Sequence, residues 1–161
     1  MSVLASAQVS QFVTRHMLLV TDAGSGGFPA VDSPEVVLFG PGSLALRCEG
    51  SEMGATVTIE RHDAAPANPQ GPEWDLASEG SFDLPTGNLA LGDLEGLLEW
   101  FPDLGLYAGR WQIRVQVTGR ADAALLEDQI LAEAEASYDS TELDLSPVEI
   151  GPEKWLIQLW P

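Results

Sequence analysis

Apolar and polar residues alternate along most of this chain, and the alternation predicts β-strands. The two clearest runs are residues 55–63 (ATVTIERHD), where Val57 and Ile59 share a face, and residues 110–120 (RWQIRVQVTGR). A period of two with one polar face is typical of an antiparallel strand that buries one face and solvates the other. In the second run we expect a buried face of Trp111, Ile113, Val115 and Val117, and a solvated face of Gln112, Arg114, Gln116 and Thr118.

Several further segments have the composition of strands. Residues 9–21 (VSQFVTRHMLLVT) are rich in β-branched and aromatic residues, which predicts one continuous strand. Residues 35–39 and 43–50 flank a Gly-Pro-Gly turn, and we expect a hairpin with a loop of about three to five residues. The remaining predicted strands are residues 73–87, residues 88–94 with Leu89 and Leu91 on one face, and residues 154–161. Residues 95–109 fit either a helical turn or a strand broken at Pro102.

One segment has a helical pattern. Residues 121–138 (ADAALLEDQILAEAEASY) are dominated by Ala, Leu and Glu, which favour helices. Asp122 is a candidate for the N-terminal cap. The residues that recur at a spacing of four, and that we expect to form the buried stripe, are Leu126, Ile130, Ala134 and Tyr138.

The order of these segments predicts the fold class. Strands and helices do not alternate, which argues against a parallel α/β sheet. Short strands separated by turn residues about every ten positions predict an all-β fold, mainly an antiparallel β-sandwich, with one α-helical excursion near residues 121–138. The length of 161 residues and the absence of a compositional break predict a single domain spanning residues 1–161.

Charge narrows the range of functions. The chain has 25 Asp and Glu against 7 Lys and Arg, a net charge of −18. Direct nucleic-acid binding and anionic membrane surfaces are disfavoured, because both require Lys and Arg. The electrostatic field of a chain with this much negative charge favours a basic protein surface or metal ions as partners. A second interpretation stays open, in which the acidity serves solubility or salt adaptation.

The carboxylates fall into two long blocks that contain no Lys or Arg, residues 73–103 and residues 122–144. Surfaces normally mix both signs, so single-sign blocks indicate a face for a cationic partner. Trp74, Trp100, Phe101 and Tyr107 are either apolar anchors of that face or ordinary core. The predicted partner-binding residues are Asp93, Glu95, Glu99, Trp100, Asp103, Glu127 and Asp128.

Signals for catalysis or cofactors are weak. His16 and His62 are isolated from any nucleophile motif, and no phosphate-binding glycine motif occurs, so we predict a protein without catalytic residues or a cofactor. Too few Cys and His residues are present for a zinc site, whereas a calcium site or a carboxylate pair stays open. Cys48 lies in an apolar run and is expected to be buried. The absence of a signal peptide or an apolar span predicts a cytoplasmic protein without a membrane segment.

The layout of several segments resembles that of the competence protein J family. The similar segments are an early strand ending in VTDAG, the hairpin EVVLFGPGSLALRC, the strand ATVTIERHDAAP, the stretch WDLASEGSFDLPTG and the arm YAGRWQIRVQV. The closing KWLIQLWP resembles the C-terminal strand of related small proteins of actinobacterial type. This resemblance implies inhibition of a DNA-entry nuclease and a relation to immunity-type proteins of toxin systems. The acidic helix near residues 121–138 departs from the family layout, so no site residue is carried over.

These observations converge on one functional prediction. We expect a non-catalytic binding or inhibitor protein whose acidic face binds a basic protein, a nuclease or a toxin. The alternative is a small-ligand or carbohydrate-binding β-sandwich in which exposed aromatic side chains form the platform. An acidic hydrolase is the third possibility.

Overall fold

The computed structural model describes residues 2–25, 29, 32–67, 73–96, 98–136 and 150–161. The strands are β1 (Val3–Val13), β2 (Met17–Asp22), β3 (Val37–Gly40), β4 (Ser43–Arg47), β5 (Met53–His62), β6 (Leu76–Leu84), β7 (Leu89–Asp93), β8 (Leu98–Trp100), β9 (Gly109–Thr118) and β10 (Lys154–Trp160). Helix α1 is Arg120–Ala136, and a single 3₁₀ turn covers Pro102–Leu104.

The strands form two five-stranded sheets that pack face to face. The first sheet has the order β1-β5-β10-β9-β6 and the second the order β3-β4-β2-β7-β8. All neighbouring strands are antiparallel except β5 and β10, which run parallel. The predicted fold class, a mainly antiparallel β-sandwich with one helix, is therefore confirmed.

The core lies between the sheets and follows the alternation that the sequence predicts. Val57 and Ile59 of β5 are buried, as are Leu89 and Leu91 of β7. The largest buried side chains of the first sheet are Trp111, Trp155 and Phe82, and they pack with apolar residues of the second sheet in one continuous cluster. Cys48 belongs to the same cluster, which confirms its predicted burial.

Residues 9–21 do not form one strand, and that prediction was wrong. The chain turns at Arg15 and His16, which both have positive φ angles (53° and 59°), and it then crosses from the first sheet to the second. The Met17 amide donates to the Thr14 carbonyl, which closes the turn. Two central residues at positive φ are typical of a tight hairpin turn that normally carries Asn-Gly. No glycine or proline marks this turn, so the sequence pattern did not reveal it.

This turn provides a stability prediction. Replacing Arg15 with Asn and His16 with Gly is expected to raise the free energy of unfolding by about 1 kcal/mol, because both new residues adopt positive φ at lower cost. Urea denaturation of the double variant measures the change. The matched control is Ser10→Gly in β1, where the backbone is extended and glycine should destabilise by about 0.5–1 kcal/mol. If the double variant were destabilised as much as Ser10→Gly, the positive φ angles of Arg15 and His16 would not be a source of strain.

Two other details differ from prediction. The β3–β4 hairpin pairs Gly40 with Ser43, so its loop is shorter than expected. In β9 the predicted buried face is confirmed, but Arg114 on the opposite face is only 5% exposed. Its guanidinium donates to the carbonyls of Pro66 and Ala67 and to Glu79, because the chain after β5 folds over this part of the sheet. Gln116 is buried on the same face, and alternation alone could not predict this cover.

Helix α1 confirms the helical prediction but not its buried stripe. Within the described helix only Ala123 is buried, while Leu126 and Ile130 are half-buried and Ala134 is exposed. Tyr138 lies outside the described residues. The first intrahelical bond runs from the Ala123 amide to the Gly119 carbonyl, so Asp122 lies in the first turn and is not the cap.

The helix start is fixed by backbone contact and by one arginine. Gly119 has a φ of +79°, and a Cβ there would lie 2.1 Å from the Pro152 carbonyl oxygen, so only glycine fits. The Arg120 guanidinium donates to the Arg47 carbonyl and to Glu49, which ties the helix to the end of β4. Within the part of the chain that the structure describes, no helix is long and apolar enough to span a membrane.

Candidate functional site

The predicted partner-binding residues fall on two elements. Five lie on the β7–β8 hairpin and the 3₁₀ turn that follows it, namely Asp93, Glu95, Glu99, Trp100 and Asp103. Glu127 and Asp128 lie on helix α1. We call the exposed members of the first group, Glu95, Glu99, Trp100 and Asp103, the acidic edge.

The turn of this hairpin is organised by Asp93, which is only 3% exposed. Its Oδ1 accepts a hydrogen bond from the Glu95 amide at 2.9 Å, and Gly96 supplies a positive φ of 89°. An Asp that bonds the amide two residues ahead is a common turn signature. Asp93 therefore shapes the turn, whereas Glu95 projects its carboxylate at the surface.

Strand β8 separates Glu99 and Trp100 onto opposite faces. Glu99 pairs with the core-facing Leu91, so it shares that side of the sheet at its open edge. Trp100 pairs with Ala90 and lies on the outer face, where it is 46% exposed. The half-exposed Trp100 is a candidate interface anchor, because Trp is enriched where partner proteins bind.

A groove of about 480 Å³ runs over the outer face of the second sheet, and we call it the outer groove. Leu19 and Thr21 of β2 form part of its lining, and Leu98 and Trp100 of β8 line its other side. Between them lie the small residues Ala90 and Gly92 of β7, which leave the space open. The outer groove is mainly apolar, with Asp93 at one end.

A second groove of about 300 Å³ separates the open edge of β1 from the chain that follows β8, and we call it the edge groove. Residues 6–9 line one side and residues 99–104 the other. The second wall is held in place because the Phe101 amide donates to the Leu89 carbonyl and Leu104 is buried in the core. The Arg61 guanidinium also donates to the Gly105 carbonyl. Glu99 and Asp103 are thus presented on a fixed wall.

Most basic residues are occupied within the fold. Arg47 donates to carbonyls of the chain that leads to β3, Arg110 contacts Ser81 and Asp83, and Arg120 pairs with Glu49 and Glu153. Arg61 and Arg114 make the bonds described above. None of these hydrogen bonds and ion pairs involves a carboxylate of the acidic edge.

The second acidic group lies at the same end of the sandwich as the Asp93 turn. The Glu127 Oε1 is 3.4 Å from the His16 Nε2, in the turn that leads into β2, and Leu18 of β2 pairs with Asp93. Asp128 is exposed on the helix. The rest of the second block, beyond residue 136, lies outside the described residues.

The first acidic block does not lie on one face. Glu79 and Asp83 belong to β6, at the opposite edge of the first sheet from β1, where they pair with Arg114 and Arg110. The aromatic candidates also separate. Phe101 is core, Trp74 is half-buried and Tyr107 is exposed with its ring 4.6 Å from that of Trp111. Trp100 is therefore the aromatic residue that belongs to the acidic edge.

The two histidines have different surroundings. His62 is buried, and its Nε2 lies 2.8 Å from Glu60, which also accepts a hydrogen bond from Gln158. His16 is in the exposed turn already described. Among the described residues, no group of three or more His, Cys, Asp or Glu is placed to hold a metal ion.

Sequence analysis did not single out Glu153, a carboxylate that is only 2% exposed. Its Oε2 accepts hydrogen bonds from the amides of Glu49 and Gly50, and its Oε1 lies 3.4 Å from Arg120. Burial raises the pKa of Glu153 to about 7, against the lowering effects of the Gly50 amide and Arg120. Burial and the nearby Glu153 raise the pKa of the Cys48 thiol. A lone Glu before an apolar strand gives no sequence signal for this environment.

Comparison with known proteins identifies the fold. No family model and no curated protein sequence matches the chain. A crystal structure of ComJ, inhibitor of the DNA degrading activity of NucA, from Bacillus subtilis, is similar with a TM-score of 0.60 and 12% identity over 99% of this chain and 96% of ComJ. A structure described as crocagin biosynthetic gene J is similar with a TM-score of 0.56 and 19% identity over 98% and 96% of the two chains. The resemblance to the competence protein J fold is thereby confirmed over the full length.

Proposed function

We propose that this protein is a non-catalytic inhibitor that binds a basic protein, of the nuclease or toxin class, through the acidic edge. The observation that carries the proposal is one edge of the second sheet, which exposes Trp100 on its outer face and the carboxylates Glu95, Glu99 and Asp103 along the same segment. None of the arginine contacts described above involves these carboxylates. The fold shared with ComJ supports the inhibitor class.

Charged and aromatic side chains contribute to such an interface in different ways. A carboxylate-rich surface on a chain of net charge −18 raises the rate of encounter with a cationic partner and selects against anionic ones. A half-exposed aromatic side chain then supplies apolar area that becomes desolvated in the complex. A rigid edge of this kind loses little conformational entropy on binding.

A nuclease is a fitting partner because its active-site cleft must attract phosphate. Lys and Arg side chains that neutralise a nucleic-acid backbone also bind a row of protein carboxylates. Occupying such a cleft requires no catalytic group in the inhibitor. The proposed function therefore agrees with the internal positions of His62 and Cys48.

Charge reversal tests this proposal. The triple variant Glu95→Lys, Glu99→Lys and Asp103→Lys is expected to weaken binding of the basic partner by about 100-fold at low salt, because attraction becomes repulsion. The measurement is capture of basic proteins from extracts and secretions of the source organism by the immobilised chain, followed by elution in a salt gradient. The captured fraction is then assayed for DNA degradation with and without added chain.

The matched control reverses three exposed carboxylates elsewhere, Asp32→Lys, Glu35→Lys and Glu73→Lys, which changes the net charge equally. This control should retain most of the affinity and the inhibition. If both triple variants lose binding equally, the effect belongs to total charge and not to the acidic edge. If the native chain retains no basic protein at low salt, the proposed function is wrong.

The outer groove supports a second candidate, a small-molecule-binding protein. It is apolar, has Trp100 on one side and carries few polar groups, as ligand sites commonly do. The fold shared with the protein described as crocagin biosynthetic gene J is compatible with this class. Binding of a small apolar ligand would be nearly independent of salt and lost in Trp100→Ala, whereas the triple charge reversal would leave it unchanged.

A further inference from the structure

Strand β1 has an unguarded edge. It is 11 residues long (VLASAQVSQFV), lies at the end of the first sheet and contains no charged residue, proline or glycine. Edge strands of soluble proteins normally carry a charge, a proline or a bulge that prevents another chain from pairing with them. Here the register is irregular only between Val3 and Ala5, so the rest of the edge has none of these three features.

Strand β1 borders the edge groove and has one edge that pairs with no other strand. In an edge strand, every second residue directs its amide and carbonyl away from the neighbouring strand. Strand β1 pairs with β5 on one side. Among the backbone hydrogen bonds of the described residues, none joins residues 6–9 to the opposite wall of the groove.

The shape of the edge groove suits an additional strand. The inward-facing residues of β1 that line the groove, Ala7 and Val9, are only partly buried against the core. The wall opposite them is rigid, because Phe101 and Leu104 are embedded in the core. A strand placed beside β1 would therefore extend the first sheet and cover partly exposed apolar surface.

The charge of the groove specifies its occupant. Glu99 and Asp103 are exposed on the wall opposite β1, and no basic residue lines the groove among the residues that the structure describes. Every second side chain of an added strand would point across the groove toward this wall. Lysine or arginine at those positions would pair with the two carboxylates.

We propose that an extended, Lys- or Arg-rich segment of the basic partner binds in the edge groove by adding to β1 as a sixth strand. This mode rests on the proposed function and names how the partner is held. Main-chain hydrogen bonds to β1 supply affinity, and Glu99 and Asp103 select basic side chains.

The probe is a short synthetic peptide of alternating Lys and Thr, titrated into the full chain and followed by NMR. Resonances of β1 and of residues 99–104 are expected to shift. Hydrogen exchange of alternate β1 amides should slow by about tenfold or more near saturation. A peptide of alternating Glu and Thr serves as the control for charge and should not bind.

Two N-methylated forms of the Lys-Thr peptide separate strand addition from simple attraction. One is methylated on all Lys amides and the other on all Thr amides, so their charges are equal. Because these two sets of amides point to opposite sides of a strand, only one form should lose affinity, by about tenfold or more. Equal affinity of the two forms would overturn the proposal.

Variants test the wall of the groove. The double variant Glu99→Gln, Asp103→Asn should bind the Lys-Thr peptide about tenfold more weakly than the native chain. The control double variant Glu35→Gln, Glu73→Gln should bind the peptide with unchanged affinity. Shifts confined to the outer groove would overturn the proposal. A chain that self-associates through β1, seen as a concentration-dependent mass and β1 amides protected without peptide, would also overturn it.

These outcomes are distinct from failure of the proposed function. If a captured basic nuclease binds with the expected salt dependence but leaves β1 amide exchange unchanged in the complex, only strand addition is wrong. If no basic protein is captured, the proposed function fails, and the peptide titration still decides whether the groove accepts a basic strand.

Discussion

Trp155→Ala is expected to lower the free energy of unfolding by about 4 kcal/mol, because it leaves a large cavity in a core that cannot collapse to fill it. Trp155 is 1% exposed on β10. In register with it are Val57 of β5 and Val117 of β9, both buried, so neighbours on two sides lose contacts at once. Urea or guanidinium denaturation followed by circular dichroism measures the loss.

Trp100→Ala is the matched control, because it removes the same side chain from a half-exposed site on β8. Its expected effect on stability is within about 1 kcal/mol. The two variants also differ in function, since Trp100→Ala should weaken partner binding while the fold persists. A loss for Trp155→Ala no larger than that for Trp100→Ala would contradict the described core.

The second large effect is a dependence of stability on pH that originates at Glu153. Burial raises the pKa of Glu153 in the folded chain from 4.5 to about 7. The folded state therefore binds the proton more tightly than the unfolded state does. This contribution to stability is fully present below pH 4.5 and is lost as pH rises through about 7, a change of about 3 kcal/mol.

Glu153→Gln isolates this contribution from the general repulsion among the other carboxylates. Gln cannot ionise, so the stability of the variant has no contribution from proton binding at position 153 at any pH. Denaturation of both proteins from pH 4.5 to pH 8 should show the native chain losing about 3 kcal/mol relative to the variant across that window. A stability difference that is constant with pH would show that Glu153 has an ordinary pKa in the folded chain.

Sequence patterns were sufficient to predict the elements whose signal lies within a short stretch of residues. The alternation in β5 and β9 identified both strands and their buried residues, because a half-buried strand repeats every two positions. The helix was found from its Ala- and Glu-rich composition. Its expected buried stripe was wrong because α1 meets the sandwich mainly through its first turn, at Arg120 and Ala123.

The features that were missed depend on contacts distant in sequence. The break at Arg15 and His16 requires two non-glycine residues at positive φ, which residue types do not signal. Burial of Arg114 depends on the chain near Ala67 crossing over β9, and burial of Glu153 on amides near Gly50. In each case the partner lies on an element far away along the chain.

The same contrast between local and long-range signals applies to the candidate site. Glu95, Glu99, Trp100 and Asp103 are near one another in sequence, so a block of acidic residues was enough to predict them together. The edge groove was not predictable, because its other wall is β1, and nothing in either segment indicates that the two sheets meet at this edge. The location of Glu79 and Asp83 at the other edge of the first sheet likewise depends on the order of the strands, which the sequence pattern does not reveal.

The position of β10 has a consequence for how the first sheet folds. Strand Lys154–Trp160 lies in the middle of that sheet, between β5 and β9, although it is distant from β5 along the chain. Without β10, the pair β1–β5 and the pair β9–β6 have no strand to join them, and each exposes a second unpaired edge. The first sheet therefore forms only when this distant strand is inserted, and pairing over such a long sequence separation is expected to slow folding.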